Sequence, residues 1–220
     1  MIDTARGAAF RLYLITDRQA TAGRPLVDVV AAALQGAAAS GLPLHRVAVQ
    51  LREKDLSARP LLDLARALRA LTARAGVALY VNDRVDVALA AGADGVHLGA
   101  GALPFTEVAR LAPKLALATS VHSAAELEAA RAAAGPGLAF AVCGPVRDTP
   151  SKRQYGPPIG FDGLSKAARL GVPVLALGGI EPSDVPAALR AGAAGVACIR
   201  AILSAPDPAA AAAALCRALL

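Results

Sequence analysis

The chain has 220 residues, 55% of them hydrophobic but only 3% aromatic, and it contains no tryptophan. That length predicts one sizeable domain over residues 1–220 with a substantial buried core, and the scarcity of rings predicts that the core is aliphatic. The net charge of +6 comes from scattered arginines without interleaved aromatic platforms, which fits a basic surface or an anionic small ligand better than a nucleic-acid groove.

Three cysteines, Cys143, Cys198 and Cys216, show no metal-like spacing. An odd set of this kind reads as buried free thiols in a reducing compartment. The opening residues MIDTARGAAFRLYLITD lack the long apolar core of a signal peptide, and the alanine-rich runs elsewhere are too short to span a bilayer. The expectation is a cytoplasmic protein without a membrane partner. A homo-oligomer is compatible with the sequence but not specified by it.

Eight short runs rich in Val, Leu and Ile are predicted as strands: Phe10–Thr16, Arg46–Arg52, Val77–Asn82, Asp94–Gly99, Leu115–Ser120, Leu138–Gly144, Val172–Gly179 and Gly195–Arg200. Their apolar character on both alternating faces suggests strands covered on both sides, as in a parallel sheet. Helical signals lie between them. Ser57 is placed as the N-cap of a helix carrying Leu61, Leu64, Leu68 and Leu71, which Gly76 can close. Ser123 and Glu126 form a capping box, and Asp207 with Pro208 opens a terminal helix. The echo between AGADGV (Ala91–Val96) and AGAAGV (Ala191–Val196), four units apart, agrees with an α/β fold of the (β/α)8 TIM-barrel type. An open doubly wound sheet is the runner-up, but a glycine-rich dinucleotide fingerprint after the first strand is missing.

In such barrels the active site lies at the carboxyl ends of the strands. Strand two ends in Gln50, Arg52 and Lys54, which alternate and so project to one side of an extended segment, with Leu51 and Glu53 on the other. Two cations and an amide there suit a phosphorylated ligand; a solvated loop with surface ion pairs is the competing account. Strand three ends in Asn82 and Asp83, a pair that could coordinate Mg²⁺, although Asp83 equally suits the N-cap of the next helix. Strand five offers Thr119, Ser120 and His122, for ligand contact, proton transfer or capping. The long loop after strand six supplies Thr149, Ser151 and Lys152, suited to a phosphate. Strand seven ends in Gly178 and Gly179, and strand eight in Arg200, where barrels recurrently cradle phosphate. His45 and His97 carry no assignment and are expected to be structural.

Taken in order, LYLITD, VQLREK, VND, GVHLG, TSVHS, GPVRDTPSK, LALGGI and GAAGVACIRAI resemble the strand ends of the thiamine phosphate synthases and related thiazole tautomerases, both (β/α)8 barrels. The likeness covers nearly the whole chain; each motif is weak, but eight in order are specific. The resemblance implies a transferase that joins an aminopyrimidine methyl diphosphate to a thiazole phosphate. On that pattern Gln50, Arg52, Lys54, Asn82, Ser120 and Lys152 hold the pyrimidine diphosphate, and Asp83 binds Mg²⁺. Thr149, Ser151 and the Gly179 region receive the thiazole phosphate. Three departures stand out. Ala100 and Ala102 replace the Gln and the second metal carboxylate of the usual HLGQ-x-D loop, and Arg200 replaces a serine; TPSK is a chemically close variant. Losing one carboxylate is expected to weaken Mg²⁺. It raises two alternatives: a metal-independent thiazole tautomerase using His122 as general acid/base, and a non-catalytic protein that binds thiamine precursors.

Overall fold

The computed structural model describes residues 10–149 and 157–220. Eight parallel strands close into a barrel in chain order: β1 (Leu12–Ile15), β2 (Val47–Leu51), β3 (Ala78–Asn82), β4 (Gly95–Leu98), β5 (Ala116–Val121), β6 (Leu138–Cys143), β7 (Val174–Leu177) and β8 (Gly195–Cys198). Every predicted strand is present, with β5 reaching one residue further than expected. Around them, among the described residues, run α1 (Leu26–Ala39), α2 (Ala58–Ala75), α3 (Val85–Ala91), α4 (Phe105–Leu111), α5 (Ala124–Ala134), α6 (Gly160–Ala168), α7 (Val185–Arg190), α8 (Arg200–Leu203) and α9 (Pro208–Ala218). The (β/α)8 architecture follows from this closure.

The helix signals hold in part. Asp207 caps α9 by accepting from the Ala210 N–H at 2.9 Å, and Gly76 ends α2 in the left-handed region. Ser57 stands at the start of α2, but its hydroxyl makes no capping hydrogen bond. Ser123 accepts from the Glu126 N–H at 3.1 Å, yet the Glu126 carboxylate returns to the N–H of His122, one residue before the expected box.

Side chains of alternate parity divide into two cores. Outward residues such as Leu14, Val49, Val81 and Val196 pack with Leu34, Leu68 and Leu215 of the helices in an aliphatic sheath. The barrel interior contradicts the expectation of an aliphatic core. Four of the seven aromatic residues, Phe10, Tyr13, Tyr80 and Phe140, fill it. Tyr13 and Tyr80 meet Phe140 edge to face at 5.1 and 5.3 Å between centroids. Such contacts contribute about 0.5–1.5 kcal/mol each beyond burial. An eight-stranded barrel has just enough room for packed side chains, and a few rings fill that space where alanines line much of the wall. The three described thiols are buried and free, and burial pushes Cys143 and Cys198 up to about 12, so they behave as inert core groups.

The repeated AGA(D/A)GV motif has a steric cause at both copies. Gly92 and Gly192 close α3 and α7 with φ of +65° and +94°. Gly95 and Gly195 then start strands where no Cβ fits: one on Gly95 would lie 2.2 Å from the Tyr80 ring, and one on Gly195 would lie 2.2 Å from the Arg11 carbonyl oxygen. Gly95 thus makes room for an interior ring. Gly95→Ala is expected to destabilise the barrel by about 1–3 kcal/mol through overpacking. Urea unfolding would show a lower midpoint at unchanged slope, and an unaltered midpoint would refute the crowding.

Candidate active site

The inward positions nearest the carboxyl ends form a mouth with two unlike walls. Gln50 on β2, Asn82 on β3 and Ser120 on β5 are polar, whereas Val142 on β6, Leu177 on β7 and Ile199 after β8 are apolar. A flat heterocycle with one hydrogen-bonding edge suits such a mouth.

Asp83 organises the polar wall. Its φ of +58° is left-handed, a conformation costing a non-glycine residue roughly 1–2 kcal/mol. The turn throws its carboxylate back across β4, where Oδ1 accepts from the Gly99 N–H at 2.7 Å. The carboxylate therefore does not cap α3, which starts without a side-chain cap. An ionised carboxylate can only accept, so the Asn82 amide must donate to Oδ2, at 2.8 Å. That leaves Asn82 Oδ1 to accept from Gln50 Nε2 at 2.9 Å. Gln50 Oε1, fully buried, then has no donor among the described residues. The network fixes the orientation of both amides and leaves one acceptor open to a donor from a ligand or a water.

The alternation expected along Gln50, Arg52 and Lys54 stops where β2 ends at Leu51. Lys54 lies in the following turn, exposed, and lines a cavity of about 260 Å³ with Asn82, Asp83 and Arg84. Glu53, expected with Leu51 on the opposite side of the segment, is buried. It accepts from the Thr16 hydroxyl at 2.7 Å and from the Arg18 N–H at 3.1 Å, while Thr16 Oγ1 accepts from the Arg52 N–H at 2.8 Å. Glu53 and Thr16 thus fasten the β1–α1 connection to the Arg52 backbone. Sequence alternation missed this; the carboxylate sitting between two cations gave no hint that main-chain amides would claim it. Arg52, Lys54 and Arg200 have no carboxylate partner among the described residues.

His97, left unassigned by sequence, points into the barrel beneath the mouth. It is 1% exposed, with Nε2 2.8 Å from Ser120 Oγ and Nδ1 3.4 Å from the Tyr13 hydroxyl. Its parity with Gly95 and Gly99 was the available signal. Thr119 faces the other way and donates to the Leu98 carbonyl at 2.7 Å. His122, exposed, donates from Nδ1 to the Gly144 carbonyl at 2.5 Å, tying the tips of β5 and β6 together.

The paired glycines of strand seven have a packing reason of their own. A Cβ on Gly178 would lie 2.7 Å from Pro145, and one on Gly179 would lie 2.7 Å from Arg147 Cβ. They admit the loop after β6, whose Val146 and Arg147 N–H groups donate to Leu177 and Gly178 at 2.8 and 3.0 Å. This seats Thr149 beside Gly179, its Oγ1 buried and without a partner among the described residues. Ser151 and Lys152 lie outside the described residues. Arg200 is the first residue of α8 and exposed.

The GAGALP loop closes as a turn, with the Ala102 N–H donating to the Gly99 carbonyl at 3.1 Å. Ala102 packs against the Leu98–Val108 apolar cluster and offers no ligand atom to the mouth. No group of three metal-ligating side chains occurs among the described residues. Of the two carboxylates lining the cavity, Glu53 is taken up by Thr16 and Arg18, so Asp83 is the one left to fit a Mg²⁺ that brings phosphate oxygens and waters with it; the pair does not fit an ion held by protein alone.

Residues 12–202 match the family model described as thiamine monophosphate synthase. The chain belongs to that family. It is 47% identical over 207 residues to a thiamine-phosphate synthase of Roseiflexus castenholzii, covering 93% of this chain and 86% of that one. It is 43% identical over 202 residues to a thiamine-phosphate synthase of Albidiferax ferrireducens, covering 91% and 87%. Among solved structures, the thiamine phosphate pyrophosphorylase of Pyrococcus furiosus superposes with a TM-score of 0.83 at 33% identity, covering 96% of both chains. A 3-hexulose-6-phosphate synthase at 21% identity and a TM-score of 0.61 shares the fold alone. No described helix is long and apolar enough to cross a membrane.

Burial, aided by the Arg52 guanidinium, pushes His97 down from 6.5 to about 3. The folded chain refuses a proton that the unfolded chain accepts below pH 6.5, so stability is full above that value and falls as pH drops toward 3. Compared with His97→Gln, the family member is expected to lose about 1.4 kcal/mol more per pH unit below pH 6. Urea unfolding in EDTA checks this, and parallel pH profiles for the two proteins would refute it.

Proposed function

We propose that this chain, as a thiamine-phosphate synthase, joins an aminopyrimidine methyl diphosphate to a thiazole phosphate at the carboxyl-end mouth of the barrel. Its relatives at 40–50% identity carry that activity in their names, and neither a tautomerase nor a non-catalytic binding role is favoured by them. The observation that carries the assignment to this mouth is the polarity chain from Asp83 through Asn82 to Gln50. It ends in a buried acceptor able to take the exocyclic amine of an aminopyrimidine, beside cations without a carboxylate partner among the described residues.

Bond changes divide simply. The methylene C–O bond breaks with its electron pair leaving on the diphosphate, and the aminopyrimidine spreads the resulting positive charge. The thiazole nitrogen lone pair then forms the new C–N bond. Gln50, Asn82 and Ser120 orient the pyrimidine, while Arg52, Lys54 and Lys152 neutralise the departing diphosphate. Thr149, Ser151, Gly178, Gly179 and Arg200 receive the thiazole phosphate. His122 holds the β5 and β6 tips that bring the two halves together. The synthase family is in general Mg²⁺-dependent. Asp83 would hold the ion here, which supplies further positive charge to the phosphate oxygens when bound. Residues 1–220 are taken as one domain, acting in the cytoplasm on phosphorylated small molecules, without nucleic-acid or membrane partners.

Incubation with both substrates and Mg²⁺ is expected to yield thiamine phosphate, and Asp83→Ala to lower kcat/KM by at least about 10²-fold. No product at saturating substrates and Mg²⁺ would sink the proposal. With Ala102 in place of a second carboxylate, calorimetry is expected to show saturable Mg²⁺ uptake only when inorganic diphosphate is present. Tight uptake of Mg²⁺ alone would contradict the single-carboxylate site.

A further inference from the structure

The buried chain Tyr13–His97–Ser120 sets the direction of a hydrogen bond at the mouth. Tyr13 is fully buried, and burial pushes its phenol well above the ordinary value, so the hydroxyl keeps its proton. Among the described residues, His97 Nδ1, at 3.4 Å, is the hydrogen-bond partner of that hydroxyl. A buried O–H without an acceptor would cost about 1–3 kcal/mol, so the phenol donates to Nδ1. Neutral imidazole carries one N–H, and with Nδ1 accepting, that proton sits on Nε2. Nε2 then donates to Ser120 Oγ at 2.8 Å. Ser120 stands exposed at the mouth with its own O–H unspent. In the other tautomer Ser120 would give its proton to Nε2, show only lone pairs to a ligand, and orphan the Tyr13 proton.

We propose that Tyr13 and His97 are positioning residues that hold Ser120 as a hydrogen-bond donor toward the pyrimidine diphosphate. The substrate atom facing it must be an acceptor, such as an unprotonated ring nitrogen or a phosphate oxygen, and not the amine. Gln50 Oε1 and Ser120 then offer opposite polarities, so a substrate turned over in the mouth meets two mismatches. This inference rests on the reading of Ser120 as a substrate contact.

Two measurements on the full chain separate the parts. Long-range ¹H–¹⁵N NMR of the histidine-labelled protein, with His97 assigned by its loss in His97→Gln, is expected to show the Nε2–H tautomer. It should become mixed in Tyr13→Phe, which keeps the ring that fills the core. An Nδ1–H tautomer in the unmodified protein overturns the proposal. In steady-state kinetics, Tyr13→Phe is expected to raise KM for the pyrimidine diphosphate about 5-fold, and to have no such effect when Ser120 is already alanine. Equal effects in both backgrounds would mark a packing role and overturn the coupling. His97→Gln, which keeps an N–H near the Nε2 position, should retain a lower KM than His97→Leu; equal values would count against the relay. An unchanged KM in Ser120→Ala would overturn the substrate contact itself, whatever tautomer the NMR reports.

Discussion

A closed ring of eight parallel strands leaves an interior that every strand must help to fill, and nearly everything at the mouth depends on how that filling is done. Phe10, Tyr13, Tyr80 and Phe140 plug the lower barrel edge to face. Gly95 gives up its side chain so that the Tyr80 ring can approach β4. With the space below occupied by rings, the next inward positions, Gln50, Asn82 and Ser120, are lifted to the mouth, with His97 buried just beneath them. The plug is a floor, and the polar groups stand on it.

That floor also explains why the polar groups have defined directions. In a wet cleft an amide or a hydroxyl can turn to suit whatever arrives. Here each group is pinned from behind: Gln50 by Asn82, Asn82 by Asp83, and Ser120 by His97. Each link is a donor meeting an acceptor that has no second choice in the dry interior. Orientation is set before any ligand enters, which is how preorganised sites avoid reorganisation during reaction.

Much of this was legible in the chain, for reasons that differ by feature. The eight strands show because a strand covered on both faces has to be apolar at every position, and the helices between them repeat nearer 3.6. The GAGALP loop shows as empty because its lack of charge is a direct property of the letters, and the turn that packs Ala102 on the apolar cluster agrees. Asp83 is ambiguous between cap and site in the sequence, since the positive φ that takes it away from the cap is imposed by the turn onto β4. Glu53 and His97 escaped for a different reason. Their partners, Arg18, Tyr13 and Ser120, are brought in by ring closure, and composition records how many rings exist without saying that they gather in one place.

The fate of the acidic groups at the mouth carries a consequence for traffic through it. Glu53 bonds to Thr16 and Arg18, and Asp83 to Gly99 and Asn82, so neither carboxylate ion-pairs with Arg52 or Lys54 at the rim of this basin. Such a basin draws polyanions from about one Debye length away, roughly 8 Å at physiological ionic strength. It makes little distinction between an incoming diphosphate ester and free diphosphate on its way out. On the proposed reaction, retention of the by-product follows from the same geometry that captures the reactant, and ionic strength acts on both in parallel.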